Sequence, residues 1–311
     1  MPPCPTRRAR GPTLLIVGCG DVGLRVLRLL RGRWRVLALS SSPARAPVLR
    51  AAGALPLAGD LDRPASLARL AGLADAVLHL APPRTDGNRD ARTAALLRAL
   101  ARRGGRLRRL VYASTTGVYG DCGGQRIDET RALRPATARA RRRADAEAQL
   151  RHFGRASGVR VSVLRVPGIY AFDRDGGDPR ARLQRATPVL AAADDVYTNH
   201  VHADDLARAC VAALHRGAPQ RAYHVCDDTA LPMGAYFDLV ADCCGLPRPP
   251  RISRAQAQAQ LSPLQLSFLG ESRRLDKRRL ERELRLRPRY PTVVDALRAA
   301  GFGAGPAGAP R

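Results

Sequence analysis

Short apolar runs alternate with amphipathic stretches along most of the chain. The run TLLIV (13–17) is followed directly by glycines, which is typical of a buried strand that ends in a turn. After it, Val22, Val26 and Leu30 recur at helical spacing, and Gly32 marks a helix end. The chain therefore begins with a predicted strand, turn and helix.

The same alternation continues to residue 170. It predicts five more strands and two more helices. The strands are WRVLALS (34–40), GALPLAGDL (53–61), ADAVLHLAPP (74–83), LRRLVYAST (107–115) and VRVSVLRVPGIY (159–170), and the helices are DARTAALLRALARRGG (90–105) and PATARARRRADAEAQL (135–150). Strands that alternate with helices predict an α/β protein with a doubly wound parallel sheet, the Rossmann fold.

The pattern also suggests how the chain is divided. We expect a basic tail over 1–12 and a dinucleotide-binding domain over 13–172. Residues 173–300 are expected to form a small C-terminal substrate-side subdomain and to return strands and helices to the core. The segment FGAGPAGAPR near the end is rich in Gly, Ala and Pro, so 301–311 are predicted to be a disordered tail.

The charge is extreme for a globular chain. Of 311 residues 45% are hydrophobic, which supports a folded core, while the net charge is +26. Only Lys277 among the 53 basic residues is a lysine. Such a charge suggests an acidic partner such as nucleic acid. The alternative, which we favour, is GC-rich codon usage, because a phosphate-binding surface would also recruit lysine. We do not expect nucleic-acid binding.

Cysteine usage and the N-terminus bear on the compartment. The seven cysteines form no C-x-x-C pair, so neither a zinc site nor a disulfide framework is indicated. The basic N-terminus is followed only by LLIV, which is too short for a signal-peptide core or a membrane span. We expect a cytoplasmic protein that binds neither membrane nor metal.

A glycine motif follows the first strand. Gly18, Gly20 and Gly23 form G-x-G-x-x-G, which permits a tight turn and lets a pyrophosphate approach the helix N-terminus. Asp21 and Val22 lie in the same turn and are further candidates for cofactor contact. The alternative is a glycine-rich turn without a ligand.

The end of the second strand bears on the choice of cofactor. An acid there would bind the ribose 2′-hydroxyl of NAD, but the strand ends in LALSSSPAR without one. Ser41 and Arg45 instead offer a hydroxyl and a cation to a 2′-phosphate. We predict that NADP(H) is preferred and NAD(H) remains an alternative, unless the serines only begin a turn.

Several motifs together resemble the NAD(P)-dependent epimerase/dehydratase family, the extended and atypical branch of the short-chain dehydrogenases. They are GDLD (59–62), HLAPP (79–83), STTGVYG (114–120), LRVPGIY (164–170), NHVHADDLA (199–207) and ESRRLDKRRLERELRLRPRY (271–290). The resemblance implies an oxidoreductase or epimerase acting on a nucleotide-sugar-like or other small substrate. It implies cofactor contacts at Asp60, Leu61, Leu80, Ala81, Pro82, Pro167 and Gly168, and the family's catalytic Ser/Thr at Thr115.

The catalytic Y-x-x-x-K pair of that family is missing. By register with Thr115 and Glu147, Arg139 stands at the tyrosine position and Arg143 at the lysine position. Arginine stays protonated, so it cannot shuttle a proton at neutral pH. Arg143 can still hydrogen-bond a nicotinamide ribose. Arg139 and Arg143 then form either an anion site or a solvated helix face.

Other residues suggest weaker alternatives. His200 and His202 share one face of a strand, as metal ligands would, but the resemblance favours structural or substrate-side roles. Asp204 and Asp205 are expected to cap the helix that follows. Neither Tyr119 nor Tyr170 is expected to replace the missing tyrosine, because both fit ordinary positions of their motifs.

These features leave two main hypotheses for function. The first is an atypical NAD(P)-dependent enzyme with a small-molecule substrate, for which an anionic group is one option. The second is a non-catalytic NADP(H)-binding sensor or regulatory module. A homodimer is an option under both.

Overall fold

The computed structural model describes residues 11–30, 32–102 and 105–303. Fifteen strands lie within these ranges: β1 Thr13–Val17, β2 Arg35–Ser40, β3 Leu55–Ala58, β4 Ala76–His79, β5 Arg109–Thr115, β6 Arg126–Ile127, β7 Arg160–Val166, β8 Gly168–Tyr170, β9 Val189–Leu190, β10 Tyr197–Thr198, β11 His200–His202, β12 Arg221–His224, β13 Leu231–Pro232, β14 Arg251–Ile252 and β15 Arg274–Leu275. Residues 1–10 of the predicted N-terminal tail lie outside these ranges.

Eleven α-helices lie in the same ranges: α1 Asp21–Leu30, α2 Ala46–Ala51, α3 Ala91–Ala101, α4 Ala138–Ser157, α5 Pro179–Gln184, α6 Ala203–Arg216, α7 Met233–Cys244, α8 Arg254–Gln260, α9 Pro263–Leu269, α10 Arg278–Arg282 and α11 Val293–Ala299. No helix in the described part of the chain is both long and apolar enough to cross a membrane.

Seven strands form one parallel sheet in the order β12-β7-β5-β4-β1-β2-β3. β1, an interior strand between β4 and β2, is buried along its whole length. Leu14 and Ile16 join the apolar cluster that contains residues of α1 and α6. Leu15 and Val17 join a second cluster with residues of α3 and α4. Helices therefore cover both faces, which confirms the predicted doubly wound fold.

The C-terminal half returns to this sheet. β12 pairs with β7 and supplies the seventh strand, which the hydrophobic pattern did not predict. α6 packs on α1. A separate apolar cluster belongs largely to the C-terminal region and includes Leu183, Met233 and Phe237. The domain boundary at residue 172 stays a prediction.

Two predicted elements differ from the structure. The helix predicted over 135–150 begins at Ala138, after the Thr137 side chain caps it, and continues to Ser157 before the left-handed Gly158. The strand predicted over 159–170 is divided at Pro167, because proline has no N–H for the sheet. Its second part, β8, pairs with β11 instead.

One prediction about a helix end is wrong. His202, rather than Asp204 or Asp205, caps α6: its Nδ1 accepts a hydrogen bond from Asp204 N at 3.2 Å. In the tail predicted over 301–311, Phe302 contacts the rest of the chain. The Phe302 ring lies 4.4 Å from the Arg180 guanidinium, and Phe302 N donates to Leu297 O at 2.9 Å. The rest of the predicted tail, 304–311, lies outside the described residues.

Candidate active site

The turn between β1 and α1 needs its glycines for different reasons. Gly18 has φ +84°, and a Cβ there would lie 2.4 Å from Ala81 N. A Cβ at Gly23 would lie 2.9 Å from Cys19 Sγ. A Cβ at Gly20 would meet nothing within 4 Å. Gly18 and Gly23 therefore allow close packing that a side chain would prevent, while Gly20 leaves open space above the turn.

This open space belongs to a cavity of about 360 Å³ at the carboxyl ends of the strands. Eight of the predicted cofactor-binding residues line it: Gly18, Gly20, Ser41, Arg45, Asp60, Leu61, Ala81 and Pro82. Seven others do not line it: Asp21, Val22, Gly23, Leu80, Arg143, Pro167 and Gly168. The structure thus brings together residues that are far apart in sequence at the edge where α/β folds bind ligands.

The residues after β2 are arranged around this cavity. Arg45 donates from Nη2 to Cys19 O at 2.9 Å, which holds its guanidinium beside the glycine turn. Ser40 Oγ donates to Ser42 O at 3.1 Å, so this serine does form a turn. Ser41 also lines a neighbouring cavity of about 820 Å³, to which Arg50, Arg63 and Arg69 contribute.

A cleft of about 770 Å³ continues from the first cavity past Pro82. Thr115, at the end of β5, and Arg139 and Arg143, on α4, line it together with Pro167. Gly168 lines it too. The predicted catalytic and nicotinamide-side residues therefore share one cleft, although 24 positions separate Thr115 from Arg139 in the chain.

Thr115 and Ser114 have different partners at the end of β5. Thr115 Oγ1 accepts a hydrogen bond from Gly117 N at 3.3 Å and caps a short 3-10 helix. Ser114 is buried and donates to Glu147 Oε1 at 2.7 Å. Both residues line the cleft, and Thr115 is the less buried of the two.

The two arginines at the tyrosine and lysine positions are held differently. Arg143 Nη1 donates to Tyr112 Oη at 2.9 Å and to Ala113 O at 2.8 Å. Arg139 is exposed at the cleft, and its guanidinium lies 4.5 Å from the centre of the Phe268 ring. Neither position offers a group that can exchange a proton near neutrality.

More arginines surround the cleft than the sequence indicated. Arg84, Arg139, Arg142, Arg143, Arg174, Arg182 and Arg273 all line it, and Glu271 is the one carboxylate among the described lining residues. Four of these arginines have a buried Nε without a hydrogen-bond partner in the described chain: Arg142, Arg174, Arg182 and Arg273. No sequence signal marks this set, because its members come from separate loops and helices.

A buried polar network lies behind α4. Glu147 accepts hydrogen bonds from Arg165, the shorter at 2.8 Å, and both side chains are at most 2% exposed. Arg165 also donates to Tyr119 Oη at 2.6 Å, and Tyr119 Oη contacts His224 Nε2 at 2.5 Å. Burial raises the pKa of Tyr119 to about 12. Tyr119 is therefore a core residue, and sequence reasoning missed Arg165 and His224.

A second ionic network connects the glycine turn with the cleft. Arg25, whose side chain is 4% exposed, contacts Asp21, Asp173 and Asp204 at 3.1, 2.5 and 2.6 Å. Arg174 contacts the other oxygen of Asp21 at 2.7 Å. The Asp21 carboxylate is thus occupied by arginines, which offset its negative charge beside the helix N-terminus.

The two histidines of β11 have separate roles. His200 lines the cleft and stacks on Tyr236, with 3.8 Å between ring centres. His202 caps α6, as described above. Within the described ranges, no group of three or more His, Cys, Asp and Glu is arranged to hold a metal ion.

Comparison with solved structures gives high similarity over almost the whole chain. A functionally unknown conserved protein from Silicibacter pomeroyi is 30% identical, with a TM-score of 0.77 over 93% of this chain and 99% of that one. UDP-glucose 4-epimerase from Thermotoga maritima, solved with UDP-glucose, is 18% identical, with a TM-score of 0.74 over 92% and 96%. The dTDP-glucose 4,6-dehydratase of Streptomyces venezuelae, solved with NAD and TYD, is 22% identical, with a TM-score of 0.72 over 92% and 94%.

Comparison with curated proteins found no match. The family model for the NAD dependent epimerase/dehydratase family matches residues 14–226. That range includes the glycine turn, Thr115 and α4, and it covers most of the chain. The match and the fold together show that this protein belongs to the NAD dependent epimerase/dehydratase family.

Proposed function

We propose that the protein is an atypical NADP(H)-dependent oxidoreductase or epimerase that acts on a small anionic substrate without the usual catalytic tyrosine. The observation that carries this proposal is the continuity of the two cavities. One contains the glycine turn, the other contains Thr115 with seven arginines, and Pro82 lines both.

The cavity at the glycine turn fits a dinucleotide. Gly20 leaves room for a pyrophosphate beside the first N–H groups of α1, which have no partner within the helix. Asp60 and Leu61 would hold the adenosine end, and Pro167 would border the nicotinamide. When bound, the nicotinamide supplies hydride transfer. The chain's residues bind and orient it.

The residues after β2 favour NADP(H). Ser41 and Arg45 line the cavity, and β2 ends without an acid. Arg50, Arg63 and Arg69 of the adjoining cavity add positive charge. A charge-assisted hydrogen bond to a 2′-phosphate contributes about 1.5–3 kcal/mol, which corresponds to roughly tenfold to hundredfold in affinity.

The arginines of the cleft favour an anionic substrate. Arg139 and Arg143 stand on α4 where the family has its tyrosine and lysine. Arg139 is the more accessible of the two, since Arg143 already donates to Tyr112 and Ala113. Guanidinium groups bind phosphates and carboxylates in a bidentate manner. The two sugar-nucleotide enzymes of the same fold make a nucleotide-sugar-like ligand the first class to test.

A second candidate is a non-catalytic NADP(H)-binding sensor. The observation that favours it is the commitment of Arg143 Nη1 to two oxygens of β5, which ties the group at the lysine position to the protein itself. Turnover of NADPH with candidate carbonyl substrates separates a sensor from an enzyme.

Replacing Gly20 tests cofactor binding. Gly20→Trp should abolish NADP⁺ binding in calorimetry, because the indole would fill the open space above the turn while the fold has room for it. Leu29→Trp, at an exposed position of α1, the helix that follows the turn, is the control and should bind NADP⁺ normally. Parallel titrations should give tighter binding of NADP⁺ than of NAD⁺. Normal NADP⁺ affinity in a folded Gly20→Trp protein would contradict the proposed site.

Replacing Arg139 tests the substrate side. Arg139→Ala should weaken binding of UDP-glucose, used as an anionic probe, by about tenfold or more, because a charge-assisted contact is lost. Affinity for NADP⁺ should change less. Arg141→Ala, on the same helix but outside the cleft lining, is the matched control. If both variants bind the probe as the wild type does, Arg139 is only part of a solvated helix face.

A further inference from the structure

His200 is the imidazole in the wall of the cleft, and its two edges face different surroundings. A Cβ at Gly168 would lie 3.2 Å from His200 Cδ2 and 3.8 Å from Nε2, so this edge borders the segment expected beside the nicotinamide. Nδ1 is buried and has no hydrogen-bond partner in the described chain. One ring nitrogen therefore lies near the cleft lining and the other faces the interior.

Three more buried polar atoms without partners in the described chain belong to residues that contact His200. They are Tyr170 Oη, Tyr236 Oη and Asp227 Oδ2, on residues that are 3%, 1% and 7% exposed. Asp227 N donates to His200 O at 2.8 Å, Tyr236 stacks on the His200 ring, and the Tyr170 ring meets it edge-on at 6.3 Å. We name these four residues the rear polar cluster. Because buried polar groups are normally hydrogen-bonded, we expect ordered water to link the members of this cluster.

The other ionisable groups of the cleft are less suited to exchange a proton with a ligand. The arginines stay charged. Glu271 is ion-paired with Arg273 at 2.9 Å. The Tyr197 ring lies under the Arg274 guanidinium at 4.8 Å, outside the rear polar cluster. His200 is left as the group with both a cleft-facing edge and a polar interior behind it.

We propose that His200 is the proton-transfer residue of the cleft and that Asp227, through the rear polar cluster, is its proton source. The proposal rests on the proposed function. In the reducing direction, the substrate carbonyl carbon accepts hydride from NADPH, and its oxygen takes the proton of His200 Nε2. Nδ1 of the same ring takes a proton that the Asp227 carboxyl releases, and the resulting carboxylate is reprotonated from solvent. The carbonyl is reduced to an alcohol and NADPH is oxidised to NADP⁺.

The protonation states agree with such a relay. Burial lowers the pKa of His200 to about 3, so its ring is neutral and carries one proton. Burial raises the pKa of Asp227 to about 8, so the carboxyl keeps its proton at neutral pH. Thr229 N donates to Asp227 Oδ1 at 2.9 Å and opposes that rise, as does Lys277, whereas Asp228 adds to it. Tyr170 and Tyr236 stay neutral, because burial raises the pKa of both.

Nitrogen-15 NMR of labelled histidine in the full chain without cofactor tests this assignment. Between about pH 6 and pH 9, the ring nitrogens of His200 should shift with a midpoint near pH 8, as Asp227 loses its proton. Asp227→Asn should abolish that shift, and His200→Gln identifies the signals. His224 is the internal control: its ring nitrogens contact Tyr119 Oη and Asp276 O, so its signals should stay constant.

Two results would overturn the proposal. The first is a wild-type His200 signal that does not move in this pH range, a result that needs no variant to fold. The second is a shift that persists unchanged in Asp227→Asn. NADP⁺ calorimetry on the wild type runs in parallel. Absence of NADP⁺ binding to the wild type would refute the proposed function, whereas the NMR titration reports on the relay alone.

Discussion

Lys277 illustrates what burial does to a single basic side chain. It is the one lysine among 53 basic residues, and its side chain is only 9% exposed. Its Nζ lies 2.8 Å from Asp228 Oδ1 and 3.5 Å from Glu281 Oε1. A compact ammonium fits this space, whereas a guanidinium is broader and planar. The chain therefore keeps lysine at a place where arginine would be overpacked.

The variant Lys277→Arg should accordingly be destabilised. We expect the free energy of unfolding to fall by about 1–3 kcal/mol, which is the usual cost of overpacking a buried site. Urea denaturation followed by circular dichroism measures this change. Arg282→Lys, at an exposed position of α10, is the control and should change stability little. Equal stability of Lys277→Arg and the wild type would show that the site accepts either cation.

At the scale of elements, one carboxylate holds α4 against the sheet. Glu147, on α4, accepts from Ser114 of β5 and from Arg165 of β7. The same helix carries Arg139 and Arg143 into the cleft. The family resemblance placed Glu147 in register with the catalytic pair, and the structure gives it a positioning role between helix and strands.

Removing the charge of Glu147 should therefore destabilise the fold. Glu147→Gln leaves the Arg165 guanidinium buried without a counter-ion, which costs about 3–5 kcal/mol. The double variant Glu147→Leu, Arg165→Met removes both charges and should be closer to the wild type. Denaturant titration of the three proteins checks this order. A single variant as stable as the wild type would mean that water reaches Arg165.

At the scale of the whole molecule, burial of ionisable groups makes stability depend on pH. Burial lowers the pKa of His79 and His200 to about 3 and that of His224 to about 4, from 6.5. The unfolded chain therefore binds protons between about pH 6.5 and pH 4 that the folded chain does not, and acid favours unfolding. Asp227 acts in the opposite direction, because its raised pKa makes the folded state keep a proton up to about pH 8.

The three histidines outweigh the one carboxyl below pH 6.5. We expect the free energy of unfolding to fall by about 2–3 kcal/mol per pH unit on acidification from pH 6.5 towards pH 4, because the net difference is about two protons. Urea denaturation at several pH values measures this slope. His224→Gln should flatten it, whereas His152→Gln should not, because His152 is exposed. Constant stability across this range would show that the buried histidines are protonated in the folded state.

The local pattern of the sequence determined the N-terminal half of this fold. Buried strands such as β1 read as continuous apolar runs, and the glycines of the first turn stand at fixed short spacing, so both signals are contained in a few neighbouring residues. The register from Thr115 to Glu147 also put Arg139 and Arg143 on the helix that lines the cleft. These features depend on contacts between residues that are close in sequence, or on motifs that span only a few residues.

Only the tertiary structure decided the rest, because it depends on residues that are distant in the chain. β12 is short and lacks a clear apolar pattern, and it becomes a sheet strand only by pairing with β7. Arg165 and Glu147 neutralise each other only after β7 and α4 pack together. His200 meets Asp227 and Tyr236 through the folding of separate C-terminal segments, so no spacing in the sequence could bring the three together. A charged or polar side chain has no fixed role in the sequence, since its partners and its burial are set when distant elements pack.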